Sequence, residues 1–161
     1  MRTLFLVASY FLIFAGASSF SVETHSSKAE PCFDSSQTVE EQILFYVNKY
    51  RESKSLPALQ MNLVISDQAE KHSEEMADKK MAFGHDGFPD RVKNITAKLG
   101  SLHASAENVA YGELSPEEVV ALWIKSPGHR KNIEGNYTLT GIGTAKAKDG
   151  VIFFTQIFSI R

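Results

Sequence analysis

Cysteine is nearly absent from this chain: Cys32 is the single one among 161 residues. A domain held together by disulfides needs pairs of them, so this fold must stand without an internal bridge. Cys32 lies ahead of the first predicted helix, where it is a free thiol or pairs with another chain or a small thiol. Positive charge in excess is missing too. Lysine plus arginine number 17 against 19 aspartate plus glutamate, a formal −2, so no basic field for nucleic acid is present. A glycine-rich loop able to cradle phosphates is also lacking, which removes nucleotide chemistry from the leading readings. The apolar run Leu4 to Ala15 is too short to span a bilayer as a helix. Preceded by Arg2 and followed by Gly16-Ala17-Ser18-Ser19, it reads as a secretory signal peptide.

The expected organisation is therefore a signal peptide over 1–19, a flexible polar leader over 20–37 rich in serine and containing Pro31, and one domain over 38–161. The last falls in the usual single-domain range and can bury a real core. No transmembrane segment is expected in the mature chain. Secretion is also supported by Asn94-Ile95-Thr96 and Asn136-Tyr137-Thr138, which fit the N-glycosylation pattern at Asn94 and Asn136.

Helical periodicity begins at Thr38, which with Glu41 forms a capping box ahead of Ile43, Tyr46, Val47 and Tyr50. Leu56 to Leu63 reads as a connector, after which Ser66 caps a second helix that should close near Gly84. Pro89 and Asp90 suggest a short helical turn carrying Arg91 and Ile95, and Glu107 to Tyr111 a short strand. Ser115-Pro116-Glu117-Glu118 is the clearest helix start in the chain. That helix must stop at Ser126-Pro127-Gly128, placing His129 just past its end. Strands over about 138–146 and 151–160 flank Asp149-Gly150, a strong hairpin signal. The middle of the second is expected to be buried on both faces.

Chemistry concentrates in Phe83-Gly84-His85-Asp86-Gly87-Phe88, Ala106-Glu107-Asn108-Val109-Ala110 and Ser126-Pro127-Gly128-His129-Arg130. Glycine lets the backbone bend and bring a side chain to a cleft. Neutral imidazoles at His85 and His129 can bind zinc or another divalent metal, with Glu107 as a ligand or as the holder of a metal-bound water. The same three groups can equally form a metal-free hydrogen-bonded network. His72 and His103 lack the turn context and read as ordinary helix and loop residues. Trp123 reads as core, while Asn108, Arg130 and Asn132 tie backbone groups around the site.

Together with Val47-Asn48-Lys49-Tyr50-Arg51, Ala69-Glu70-Lys71-His72-Ser73, Trp123 and Gly141-Ile142-Gly143, these segments resemble the CAP superfamily of cysteine-rich secretory, antigen 5 and pathogenesis-related 1 proteins, also called SCP domains. The likeness is to its compact, cysteine-poor members. The resemblance implies an α+β fold, a three-layer α-β-α sandwich with a mainly antiparallel central sheet. It also implies a cavity lined by two histidines and up to two glutamates. Residue by residue, His85 and His129 match the histidines and Glu107 one glutamate. Ser126 stands where the second glutamate is usual, three residues beyond Trp123, and Ala106 stands where glycine is usual.

A serine is no general base at neutral pH without one beside it. The expectation therefore leans away from an enzyme and toward a secreted, extracellular binding module for a lipid or sterol-like small molecule. A metal-dependent hydrolase with Glu107 as base and a scaffold that presents loops to an extracellular protein are the alternatives.

Overall fold

The computed structural model describes residues 33–161. The signal segment, Cys32 and the leader up to that point lie outside the described residues. Helix α1 (Val39–Ser53) starts at the expected capping box. Thr38 Oγ1 accepts from the Glu41 N–H at 3.2 Å, and the Glu41 carboxylate accepts from the Thr38 N–H at 2.9 Å. Ile43 and Val47 are buried, and so is Arg51. Arg51 donates to the carbonyls of Pro57, Ile133 and Gly135 at 2.6–2.9 Å. A guanidinium out of water needs such acceptors, and here they staple the chain before the third strand to the first helix.

The connector holds a two-residue strand, β1 (Gln60–Met61), and α2 (Leu63–Ala77) begins at Asn62 instead of Ser66. The Asn62 side chain takes the Val64 and Ile65 N–H groups, whereas the Ser66 hydroxyl is spent on the Ile142 N–H. At its other end α2 stops at Ala77, because Lys79 itself adopts the left-handed conformation (φ 58°) that the sequence suggested for Gly84. The predicted short turn is a three-turn helix, α3 (Phe88–Leu99), entered through Gly87 at φ 74° with Pro89 in the first turn. Strand β2 (Ala104–Gly112), helices α4 (Pro116–Lys125) and α5 (Pro127–Ile133), and strands β3 (Leu139–Lys146) and β4 (Ile152–Ile160) complete the order.

The sheet order is β1-β3-β4-β2. β4 is antiparallel to both β3 and β2, and β1 is parallel to β3. The sheet is thus mixed, which corrects the expectation of a mainly antiparallel one. Only β3 and β4 are joined by a tight turn, closed by the Gly150 N–H on Ala147 O. β1 reaches the sheet from a helix connector, where no hairpin dictates its direction.

Alternation along β4 separates two cores. Phe154 and Phe158, with Ile142, pack on Ile43, Val47, Val119, Val120, Trp123 and Ile133 from α1, α4 and α5. Ile157 on the opposite face meets Ile65 and Ala69 of α2 and Ile95 of α3. The middle of β4 is accordingly buried on both faces. On the second face α2 lies against the bare backbone of β3. A Cβ at Gly143 would overlap the Glu70 backbone, and one at Gly141 the backbone at Ile65 and Ser66. Ser73 Oγ sits between the Gly143 carbonyl and Thr155 Oγ1, 2.9 Å from each. We predict that Gly143→Ala, by forcing α2 off the sheet, lowers unfolding free energy by about 1–3 kcal/mol. Urea melts measure this, and an unchanged midpoint would contradict the close approach.

Candidate functional site

Three elements deliver the three predicted groups. His85 stands in the turn between α2 and α3, a segment braced from three sides. The buried His72 of α2 donates from Nε2 to Gly84 O at 2.9 Å, Arg91 Nη1 donates to Asp86 O at 2.8 Å, and Phe83 packs edge-on against Tyr111 of β2 with ring centroids 4.7 Å apart. Glu107 lies in the middle of β2, opposite Ile157 of β4, and its side chain is turned to the face covered by α2 and α3, where it meets His85 and Arg91. His129 stands just past the end of α4, as expected, and there it belongs to a further short helix, α5. Pro127, which stops α4, occupies the first position of α5 and starts it, as proline does at helix N-termini.

Helix α5 covers the free edge of β2. Asn132 Nδ2 donates to Glu107 O (3.1 Å) and to Asn108 Oδ1 (2.9 Å), while Asn108 Nδ2 donates to His129 O (3.2 Å). Arg130 reaches back to Ile124 O at 3.2 Å. These polar residues therefore dock the helix that carries His129, as the sequence suggested. Ser126 is shared between the end of α4 and the start of α5, and its side chain makes no capping hydrogen bond.

The carboxylate of Glu107 is almost wholly buried, with 1 % of its side chain exposed. Arg91 grips it with both arms of the guanidinium, Nε to Oε2 at 2.9 Å and Nη2 to Oε1 at 2.8 Å. His85 Nδ1 completes the set on Oε1 at 2.9 Å. A carboxylate only accepts, so the proton of the neutral ring resides on Nδ1 and the lone pair on Nε2. Half of the His85 side chain is exposed, so the imidazole bridges a buried anion and solvent. Arg91 is the functional residue that sequence reasoning passed over, placing it on a short helical turn without a role. The signal that marks it is its place on the first turn of α3, just after the His85 loop.

A three-ligand metal centre needs the Glu107 oxygens, and both are already engaged. Among the described residues no group of three or more His, Cys, Asp or Glu side chains is arranged to hold a metal ion. As arranged, the donor set suits a hydrogen-bonded cluster better than a catalytic zinc site.

Two imidazoles are held below the ordinary histidine range. His129 is lowered by burial and secondarily by the charge of His85. His72 is lowered by burial, against the pull of its hydrogen bond to Gly84. Its Nδ1 has no hydrogen-bond partner among the described residues. His103 is exposed. Both sequon asparagines are exposed: Asn94 within α3, where it donates to Gln68 Oε1 at 3.0 Å, and Asn136 in the loop before β3.

On the other face of the sheet, α1 and the connector enclose a groove of about 860 Å³. Leu44, Phe45, Leu56, Ala58 and Met61 supply its apolar lining and Lys49 stands at it. Asn48 fixes the connector by bonding both the N–H and the C=O of Leu59 at 2.8 and 3.0 Å.

The family model described as "Cysteine-rich secretory protein family", CAP, matches residues 44–158. Among curated proteins the chain is 33% identical over 139 residues to the uncharacterized protein YkwD of Bacillus subtilis, covering 83% of this chain and 51% of that one. Among solved structures it resembles an extracellular protein containing an SCP domain from Bacillus anthracis, at 29% identity and a TM-score of 0.64, over 76% of this chain and 40% of that one. It also resembles an outer surface protein from Borrelia burgdorferi, at 20% identity and a TM-score of 0.65, over 78% of this chain and 96% of that one. The last likeness speaks to the fold alone. The chain spans about half the length of the curated relative, so the activity of that whole protein is not carried across by similarity.

The lowered histidines give a pH dependence whose sign is determined. As pH falls through the ordinary histidine range, the unfolded chain takes up protons that the folded His72 and His129 do not, so stability falls. We expect unfolding free energy from urea titrations to decrease from about pH 7.5 to about pH 5, and to decrease less in His72→Gln. A flat profile over that window would contradict the burial of these rings.

Proposed function

Because the chain belongs to the cysteine-rich secretory protein family, the CAP superfamily, over residues 44–158, we propose that it is a secreted, non-enzymatic binding module that takes a lipid or sterol-like molecule into the groove between α1 and its connector. The groove carries this reading. Its volume of about 860 Å³ lies within the roughly 300–1,000 Å³ of small-molecule sites. Its apolar lining suits a hydrocarbon body, and Phe45, 40% exposed, offers an aromatic face beside the Lys49 ammonium, 5.6 Å from the ring centroid. An apolar floor with mixed charge at its margin, Lys49 beside Glu41 and Glu52, matches an amphipathic ligand with a polar head.

Hydrolysis is poorly served by the same chain. A general base must reach the proton it abstracts, and Glu107 is turned inward onto Arg91. Ser126, at the position of the second glutamate, supplies no base. Secretion is supported by the signal-like start of the sequence and by the description of the Bacillus anthracis SCP-domain protein as extracellular. Among the described residues no helix is long and apolar enough to cross a membrane.

The groove and the Glu107 carboxylate lie on opposite faces of the sheet, which yields a discriminating prediction. Displacement of a fluorescent sterol or fatty acid should be saturable with the mature protein. Binding should weaken at least about tenfold, the roughly 1.4 kcal/mol of one decade, in Ala58→Glu, which places a charge in the groove at an exposed position. It should be unchanged in Glu107→Gln. The proposal fails if no member of a lipid panel binds, or if Ala58→Glu binds as the wild type does.

A further inference from the structure

We propose, resting on the lipid-binding reading, that the groove between α1 and its connector selects a single-chain lipid with a zwitterionic head, whose phosphate meets the Lys49 ammonium and whose own ammonium group meets the Glu52 carboxylate. This ligand is one class among lipid and sterol-like molecules, and charge singles it out.

The order of residues along one stripe of α1 creates the demand. Glu41, Phe45, Lys49 and Glu52 all line the groove, at the three- and four-residue spacings that share a helix face. Lys49 and Glu52, three residues apart on α1, stand about 4.5 Å from each other along the helix axis. A lysine N-terminal to its glutamate is the less favourable orientation for a helical ion pair, and these two do not join. The ion pairs among the described residues engage neither charge, and the Lys49 ammonium lies over the Phe45 ring, 5.6 Å from its centroid. The other polar groups of the groove are committed elsewhere. Glu41 accepts from the Thr38 N–H at 2.9 Å in the cap of α1, and Asn48 spends its amide on both backbone groups of Leu59 at 2.8 and 3.0 Å. One cation and one anion are therefore left to a ligand on the same helix face.

Heads with a single sign, or none, are served less well. A fatty-acid carboxylate drawn to Lys49 stands beside Glu52, which repels it. A sterol hydroxyl uses neither charge. A head with both signs meets both partners and replaces the repulsion with attraction, the kind of complementarity that decides which ligand is chosen. Leu44 and Phe45 of the helix and Leu56, Ala58 and Met61 of the connector make one apolar furrow between them, which suits one hydrocarbon chain with its head toward Lys49 and Glu52. Both charged residues are exposed, so solvent and salt weaken their fields and the discrimination is severalfold rather than many decades.

The test is equilibrium dialysis of the mature protein, at low salt, against lysophosphatidylcholine and against the fatty acid of the same chain length, each below its micelle concentration. The wild type should bind lysophosphatidylcholine about threefold more tightly than the fatty acid. Glu52→Gln should weaken lysophosphatidylcholine by about threefold and strengthen the fatty acid, because the first loses a partner and the second loses a repulsion. Lys49→Gln should weaken both. Added salt should narrow the gap between the two ligands in the wild type. Melting temperatures of the two variants, expected to match the wild type at these exposed positions, separate a lost charge from a lost fold. Opposite responses of the two ligands to Glu52→Gln uphold the proposal. If both ligands bind but Glu52→Gln shifts them alike or not at all, or if the wild type prefers the fatty acid, the zwitterionic head is overturned while the groove remains a lipid site. If neither ligand binds, the proposal falls together with the lipid-binding reading.

Discussion

A buried carboxylate must be paired, or it must take up a proton. In this protein that constraint falls on Glu107 and is answered by Arg91, and much of the surrounding architecture follows from the pair. Arg91 needs a first helical turn to reach β2, so α3 begins where it does, immediately after the His85 loop. The guanidinium spends its spare N–H on Asp86 O, fixing that loop. His72 holds the other end at Gly84. The half-exposed His85 is thus mounted on a segment anchored at both ends, a degree of order that a loop tip lacks when it has only solvent around it.

The two faces of the sheet divide the labour. One is covered by α2, pressed so near to β3 that only glycine fits at 141 and 143, with the Glu107 cluster at the edge where α3 and α5 meet β2. The other carries the larger core with Trp123 and Phe158, and beyond it the groove of α1. A polar cluster that stabilises one face and an apolar recess proposed to receive a ligand on the other can change independently. Such separation is useful to a fold whose function resides in sites placed on a common frame.

Capping boxes and β-branched runs made the helix starts at Thr38 and Ser115 and the β3–β4 hairpin legible from sequence, because those signals are local. The start of α2 was not, since Asn62 and Ser66 are both good caps and only the demand of Ile142 for the Ser66 hydroxyl distinguishes them. The parallel pairing of β1 was hidden for a similar reason: two residues of strand carry no periodicity, and their partner is far away in sequence. At the site, His85 and Glu107 were found by their turn and strand settings, and a hydrogen bond joins them directly. Arg91 escaped because an arginine on a helix is usually solvated, and only the three-dimensional placement of a buried acid beside it reveals its role.

The central claim is that Arg91 and Glu107 act as one unit, and a double-mutant cycle on unfolding free energy tests it most directly, using Arg91→Met, Glu107→Gln and the two combined. The account predicts that each single change is strongly destabilising while the double costs much less than their sum, a coupling of about 1–3 kcal/mol. Additive losses would show that the two residues are independent and would contradict the account.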